Sequence, residues 1–188
     1  FHLEDYHELS TIHPDLSGII AIGKFSEEKV HILASLFSNI VFIDEEPKDS
    51  HFDCVVIDLG RATREVISFL AEQGHKNIGY IGIVDCNSEK QKDLDGREKE
   101  FREFVKELPG EKNEQNIYLE KGTAAGGYLA MVHAIRKGNL PTAFFIASDS
   151  MAIGALKALH EHKISVPEQV SIVGFNDMEV ETIDDLVN

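Results

Sequence analysis

The sequence predicts an α/β protein in which helices alternate with the strands of a doubly wound parallel sheet. Short apolar runs bounded by turn residues recur along the chain, and segments whose apolar residues have helical spacing lie between them. Strands of a parallel sheet are buried on both faces, so they are typically continuous apolar runs. The predicted strands are residues 18–22, 40–43, 54–57, 78–81, 117–119, 143–147 and 170–173.

The predicted helices carry their own start and end signals. Ser26, Asp93 or Asp95, and Thr123 are favoured N-cap residues for the first, third and fourth helices. Gly74 and Gly138 are expected to close the second and fourth, because glycine readily adopts the left-handed conformation. Pro109 is expected to stop the third helix, and the fifth is predicted at 149–162. The predicted inward-facing residues are Val30, Leu33, Ala34, Phe37, Ala62, Val66, Phe69, Leu70, Phe101, Phe104, Val105, Leu108, Leu129, Val132, Ile135, Ala152, Ala155, Leu156 and Leu159.

Composition limits the function classes. The chain has 188 residues, 33 acidic against 18 basic, and a formal net charge of −15. A surface this acidic repels phosphate backbones, so direct DNA binding by these residues is not expected. No apolar run approaches the roughly 18 residues of a membrane span. The two cysteines, Cys54 and Cys86, lack the spacing of a disulfide or zinc framework, which favours a cytoplasmic protein.

Polar residues follow the apolar runs at the positions where ligands bind in open parallel sheets. They are Lys24, Asp44, Asp58, Arg97, Ser148, Asp149, Asn176 and Asp177. Carboxylates, amides and a guanidinium suit the adjacent hydroxyls of a sugar. The alternative is that the strand-end Asp and Ser residues are helix caps, most of all Asp149. No nucleophile with an adjacent base, phosphate loop or metal-ligand spacing is evident, so neither an enzyme, a cofactor nor a metal is expected.

The segment IASDSMAIGALKALHEHKISVPEQVSIVGFND, residues 146–177, resembles the effector-binding core of the LacI/GalR family of bacterial transcription repressors. IVFID at 40–44, GHKNIGYIG at 74–82, and Arg97 four residues before Phe101 are similar to the same family. The resemblance implies a periplasmic-binding-protein-like fold of two doubly wound subdomains. Residues 1–57 would form an incomplete N-terminal subdomain, 58–177 the C-terminal subdomain, and 178–188 the start of the crossover back. Both ends look cut, and the DNA-binding headpiece is absent from this chain.

The resemblance also implies the site residues. Asp44, Arg97, Ser148 and Asn176 would contact the effector, with Arg97 forking to two ring hydroxyls. Possible additional cleft residues are Ile57, Gly122 and Asp149. Gly122 stands where the family often has an aromatic residue that stacks on the sugar. Ile153 is a plausible residue of a homodimer interface, and ordinary core is its alternative.

The expected function is that of the effector-binding and dimerisation domain of a repressor of carbohydrate-utilisation genes. The implied partners are a galactose-like or galactoside-like sugar, a second copy of the chain, and operator DNA bound through a headpiece outside this chain. No membrane partner is expected. The alternative is a sugar-binding protein of a transport system, which has the same fold.

Overall fold

The computed structural model describes residues 16–44, 46–48, 51–84, 95–107 and 113–178. The chain divides into two compact units, residues 1–58 and residues 59–188. All the strands described are paired in parallel, in one sheet of three and one of four. The predicted return segment at 178–188 lies outside the described residues except for Met178.

The first unit is a three-stranded sheet with one helix. Its elements are β1 (Ile19–Ile22), α1 (Glu27–Leu36), β2 (Ile40–Ile43) and β3 (Asp53–Val55), with strand order β1-β2-β3. Ser26 caps α1 as predicted, because its hydroxyl accepts a 3.3 Å hydrogen bond from the Lys29 N–H. The core lies between α1 and one face of the sheet, where Phe42 packs edge-on against Phe25 and Phe52.

The second unit begins with α2 (Leu59–Glu72), β4 (Ile78–Ile83) and α3 (Gly96–Phe104). After a 3₁₀ turn at Asn113–Gln115 it continues with β5 (Ile117–Glu120), α4 (Ala124–Lys137), β6 (Ala143–Ile146), α5 (Asp149–Glu161) and β7 (Ser171–Val173). The strand order is β5-β4-β6-β7. Asp95 and Thr123 cap α3 and α4 as predicted, and Gly74 and Gly138 have the expected positive φ of 92° and 75°.

Helices cover both faces of the four-stranded sheet. On one face, buried side chains of α4 and α5, including Met131 and Met151, pack on Ile81, Phe144 and Ile146. On the other face, side chains of α2 and α3 form a second buried cluster with side chains of the sheet. Its members are Ile67, Leu70, Ile78, Tyr80, Phe101, Val105, Ala143, Phe145 and Ala147. This alternation along each strand is what a doubly wound sheet requires, so the predicted fold class is confirmed.

Four predicted core residues are wrong, since Ala34, Phe69, Leu129 and Leu156 are exposed. The reason in α4 and α5 is that these helices meet through small residues rather than through leucines. A Cβ on Gly127 would collide with the Met151 carbonyl, and a Cβ on Gly154 with the Ala124 carbonyl. The helix axes therefore approach closely along the glycine face, and the larger Leu129 and Leu156 remain exposed.

Two further points concern the helices. The third predicted helix ends at Phe104, and its expected inward Leu108 and stop at Pro109 lie outside the described residues. Within the described ranges, none of the helices combines the length and apolar character needed to cross a membrane.

Candidate functional site

The candidate site lies at the edge where the strands of the second unit end. Because all four strands are parallel, the segments that follow them emerge on the same side of the sheet. Arg97 lies on the first turn of α3, Ser148 and Asp149 begin α5, and Asn176 follows β7. Three of the residues expected to bind an effector, Arg97, Ser148 and Asn176, therefore belong to this edge.

Arg97 is the centre of this edge and is 9% exposed. Its Nε donates a hydrogen bond to Oδ1 of Asp95, and its Nη2 donates one to Oδ2, both over 2.8 Å. Its Nη1 donates to the carbonyl oxygen of Ala147, at the end of β6, over 2.5 Å. The guanidinium carbon lies 5.3 Å from the centre of the Phe175 ring, within the range of a cation–π contact. These contacts join α3, β6 and the segment after β7.

The hydrogen bonds of Arg97 leave part of its donor capacity free. A guanidinium has five N–H groups, and three are used by Asp95 and Ala147. One N–H on each terminal nitrogen has no hydrogen bond to the described residues. Burial alone would lower the pKa of Arg97, but the hydrogen bond and charge of Asp95 more than offset this, so the pKa is raised. Arg97 is thus a fixed, permanently charged donor.

Asp95 has two roles in this arrangement. Its carboxylate caps α3 by accepting a 2.9 Å hydrogen bond from the Arg97 backbone N–H. The same carboxylate forms the two-point ion pair with the Arg97 side chain, and the two side chains are 15% and 11% exposed. The sequence predicts Asp95 only as a helix start, although its position two residues before an arginine is the signal that could have suggested the pair.

Ser148 is the N-cap of α5. Its hydroxyl accepts a 3.4 Å hydrogen bond from the Met151 N–H. The expectation that Asp149 is the cap is therefore wrong. Asp149 instead accepts from the Met178 N–H at 2.8 Å, and its own N–H donates to the Phe175 carbonyl at 3.1 Å. The physical reason is that Ser148 has the extended backbone of an N-cap, whereas Asp149 is already helical.

Asn176 and Asp177 are exposed and have left-handed backbone conformations, with φ of 96° and 53°. Asparagine and aspartate tolerate this region better than other non-glycine residues. Gly122 is exposed after β5, where an added Cβ would lie 3.2 Å from the side chain of Ile83 at the end of β4. Gly122 therefore belongs to the same edge of the sheet.

The other predicted residues lie elsewhere. Asp44 and Ile57 belong to the first unit, after β2 and β3, and both side chains are exposed. The Asp44 N–H donates to the Val55 carbonyl at 3.1 Å, and its φ is 74°. Ile153 is half-buried on α5. It lines a groove of about 520 Å³ whose other members are Ala124, Ala125, Tyr128, Leu129, Gly154, Lys157 and Glu161.

Tyr80 and Phe175 were not predicted as part of this region. The Tyr80 side chain is fully buried on β4, stacks on Phe101 at 5.1 Å, and its hydroxyl has no hydrogen bond among the described residues. Burial, and then the negative charge of Asp95, raise the pKa of this phenol. In the part of the chain that the structure describes, no three His, Cys, Asp or Glu side chains lie close enough together to hold a metal ion.

Comparison with curated proteins identifies relatives of one kind. The HTH-type transcriptional regulator GanR of Bacillus subtilis (strain 168) is 40% identical over 90% of this chain and 52% of its own length. The HTH-type transcriptional repressor MelR of the same strain is 37% identical over 95% of this chain and 52% of its own length. The chain thus spans about half the length of these relatives. Both are named as regulators, and neither is named as an enzyme or a transport protein.

Solved structures give the same result. A sugar-binding transcriptional regulator of the LacI family from Escherichia coli, complexed with phosphate, is 26% identical, with a TM-score of 0.71 over 92% of this chain and 60% of its own. A LacI family regulator from Lactobacillus casei with bound glucose is 19% identical, with a TM-score of 0.72 over 92% of this chain and 63% of its own, and shows the fold alone. A family profile described as periplasmic binding protein-like domain matches residues 67–184. The predicted resemblance to LacI/GalR-type regulators is confirmed, and the chain belongs to the periplasmic binding protein-like domain family.

Proposed function

We propose that the chain is the effector-binding part of a sugar-responsive transcription regulator and that the sugar binds at the edge around Arg97. The observation that carries the proposal is that Arg97 is held rigidly by Asp95 and Ala147 while keeping one free N–H on each terminal nitrogen. A buried, fixed donor pair of this kind suits two neighbouring hydroxyls, which can each accept a hydrogen bond. The alternative of a transport protein is not favoured, because the relatives are regulators.

The other side chains have complementary roles in this proposal. Ser148 and Asn176 supply neutral polar groups beside Arg97, and Asp44 is the residue of the first unit that the family resemblance assigns to the same effector. Ile57, Gly122 and Asp149 are the proposed additional residues. Gly122 offers no ring for stacking on the sugar, so hydrogen bonds would carry most of the recognition. We propose galactose or a galactoside as the sugar, on the resemblance of ASDSMAIGAL and VGFND to repressors of galactose-type operons.

A thermal-shift screen tests sugar binding. The purified chain is melted with galactose, lactose, ribose, a purine and a sugar phosphate, because a ligand that binds the folded state raises the melting temperature by mass action. We expect a shift with galactose or lactose and none with the purine. Arg97→Lys keeps the positive charge but removes the planar fork, so its shift should be lost. A full shift in this variant would remove Arg97 from the site.

The regulatory partners are also proposed. An effector can change DNA binding only if it binds one state of the regulator more tightly than another. The net charge of −15 disfavours DNA contact by these residues, so operator binding is assigned to a headpiece outside this chain. The regulator would act in the cytoplasm, because Cys54 and Cys86 lack the spacing of a disulfide framework. A gel shift tests this assignment, since the chain alone should not retard duplex DNA at physiological salt.

We further propose that a second copy of the chain binds at the groove between α4 and α5. Leu129 is 54% exposed there, next to the half-buried Ile153. Sedimentation of wild type, Ile153→Asp and Phe69→Asp tests this, because Phe69 is an apolar residue on α2 that is as exposed as Leu129 but does not line the groove. Wild type and Phe69→Asp should sediment as dimers and Ile153→Asp as a monomer. A monomeric wild type, or a dimeric Ile153→Asp, would contradict the proposal.

A further inference from the structure

Asp149 contacts the segment after β7 at three points. Its backbone N–H donates to the Phe175 carbonyl at 3.1 Å, and its Oδ2 accepts from the Met178 N–H at 2.8 Å. Its Oδ1 occupies the place where a Cβ on Gly174 would lie. Since Ser148 caps α5, the helix does not need the Asp149 carboxylate. This side chain is therefore committed to residues 174–178, which we call the β7 loop.

Gly174 has a specific reason to be glycine. Its backbone does not have a positive φ, so conformational freedom does not explain the residue. A Cβ there would displace the Asp149 carboxylate, and the Ala152 methyl lies 3.7 Å from the same position. The contact between Asp149 and the β7 loop therefore requires glycine at position 174.

The two hydrogen bonds of Asp149 enclose the residues that need support. Phe175 and Met178 stand on either side of Asn176 and Asp177, which both have left-handed backbones. Two consecutive non-glycine residues in this region persist only where the surroundings fix them. Phe175 also lies under the Arg97 guanidinium. The position of Asn176, which directly follows Phe175, therefore depends on the contacts that Asp149 makes with both ends of the turn.

We propose that Asp149 is a positioning residue of the effector site: it clamps the β7 loop and so holds Asn176 in place beside Arg97. The clamp itself follows from the contacts above, and its effect on sugar binding rests on the proposed function. Asp149 needs no contact with the sugar in this role, so the clamp does not depend on the separate proposal that Asp149 is an additional cleft residue.

Four variants test the clamp: Asp149→Ala, Asp149→Asn, Gly174→Ala, and Asp149→Ala combined with Gly174→Ala. Hydrogen exchange of the peptide covering residues 171–178 reads the loop directly and needs no sugar. We expect exchange about tenfold faster in Asp149→Ala, because the Met178 N–H loses its acceptor. Asp149→Asn keeps an oxygen acceptor and should remain within about threefold of wild type. Gly174→Ala should match Asp149→Ala, and the double variant should be no faster, because the added methyl then has room.

Calorimetry on the same proteins measures their affinity for D-galactose and so tests whether the clamp affects sugar binding. The affinity should fall about tenfold in Asp149→Ala and Gly174→Ala and be retained in Asp149→Asn, with melting temperatures of the unliganded proteins close together. Unchanged exchange in Asp149→Ala would overturn the clamp whatever the sugar does. Faster exchange with unchanged galactose affinity would overturn the positioning role while leaving the proposed function intact. If wild type binds no galactose, the proposed galactose site fails and the positioning role fails with it, while the exchange rates separately decide whether Asp149 holds the loop.

Discussion

Replacing Arg97 with alanine is expected to destabilise the second unit as well as to weaken sugar binding. The guanidinium neutralises the Asp95 carboxylate through two hydrogen bonds of 2.8 Å, and the two side chains are only 11% and 15% exposed. Alanine removes the Arg97 counter-charge from that largely buried carboxylate, and it also leaves the Ala147 carbonyl without the Arg97 donor. The stability loss is thus separate from any loss of a ligand contact.

The size of the loss follows from the burial of the pair. Removing one partner of a buried ion pair costs about 3 to 5 kcal/mol. Because both side chains keep some contact with solvent, the lower end, about 3 kcal/mol, is expected here. A change of 1 kcal/mol shifts the melting temperature by about 2 to 4 °C in a protein of this size, so the decrease should be about 6 to 12 °C.

Calorimetric melting of three variants tests this reasoning. The double variant Asp95→Ser, Arg97→Ala removes both charges, and serine can still cap α3, so it should recover most of the loss while sugar binding stays absent. Arg61→Ala is the control, because its ion pair with Glu65 is exposed, with side chains 77% and 66% accessible, and should shift the melting temperature by about 2 °C at most. A single Arg97→Ala variant that melts within 2 °C or so of wild type would refute the account, as would a double variant that melts as low as the single one.

Substitutions at three further positions test the packing around the site by thermal melting. Gly154→Ala should lower the free energy of unfolding by about 1 to 3 kcal/mol, because the added methyl group meets the Ala124 carbonyl and this clash outweighs the gain of about 1 kcal/mol in helix propensity. An unchanged or raised melting temperature would contradict the close helix contact. Tyr80→Phe removes a buried hydroxyl that has no hydrogen bond among the described residues, so the free energy of unfolding should be unchanged or rise by up to about 1 kcal/mol. A loss of about 1 kcal/mol would instead reveal a partner for the hydroxyl. Ser148→Ala should lower the free energy of unfolding by about 1 kcal/mol, because the N-cap hydrogen bond of α5 is lost. Ser148→Asn keeps a capping oxygen and should not show this loss, so equal losses in the two variants would argue against the cap.

The central strands β4 and β6 were predictable because parallel strands buried on both faces leave continuous apolar runs in the sequence. The starts of α1, α3 and α4 were predictable from Ser26, Asp95 and Thr123, whose side chains accept hydrogen bonds from the first turn. The inward faces of α4 and α5 were not, because spacing alone favoured the leucines over Gly127 and Gly154. Whether a glycine marks a close helix contact depends on the neighbouring helix, which local sequence does not specify.

The site shows the same limit. Arg97 could be predicted from its place after a strand and from its spacing to Phe101, and Ser148 from its place at the end of β6. The contacts of Arg97 with Ala147 and Phe175 depend on β6 lying between β4 and β7, an order that does not follow the chain. The hydrogen bond of Asp149 with Met178 could not be predicted either, because the two residues are distant in sequence and close only in the folded protein.

Calorimetric titration of D-galactose into the wild-type chain and into Arg97→Lys tests the central claim most directly. We expect saturable heat with one sugar bound per chain in the wild type, and no measurable heat in the lysine variant, which keeps the charge but loses the planar fork. Equal galactose affinity in the two proteins, or no binding by the wild type, would contradict the claim that the edge around Arg97 is a sugar site.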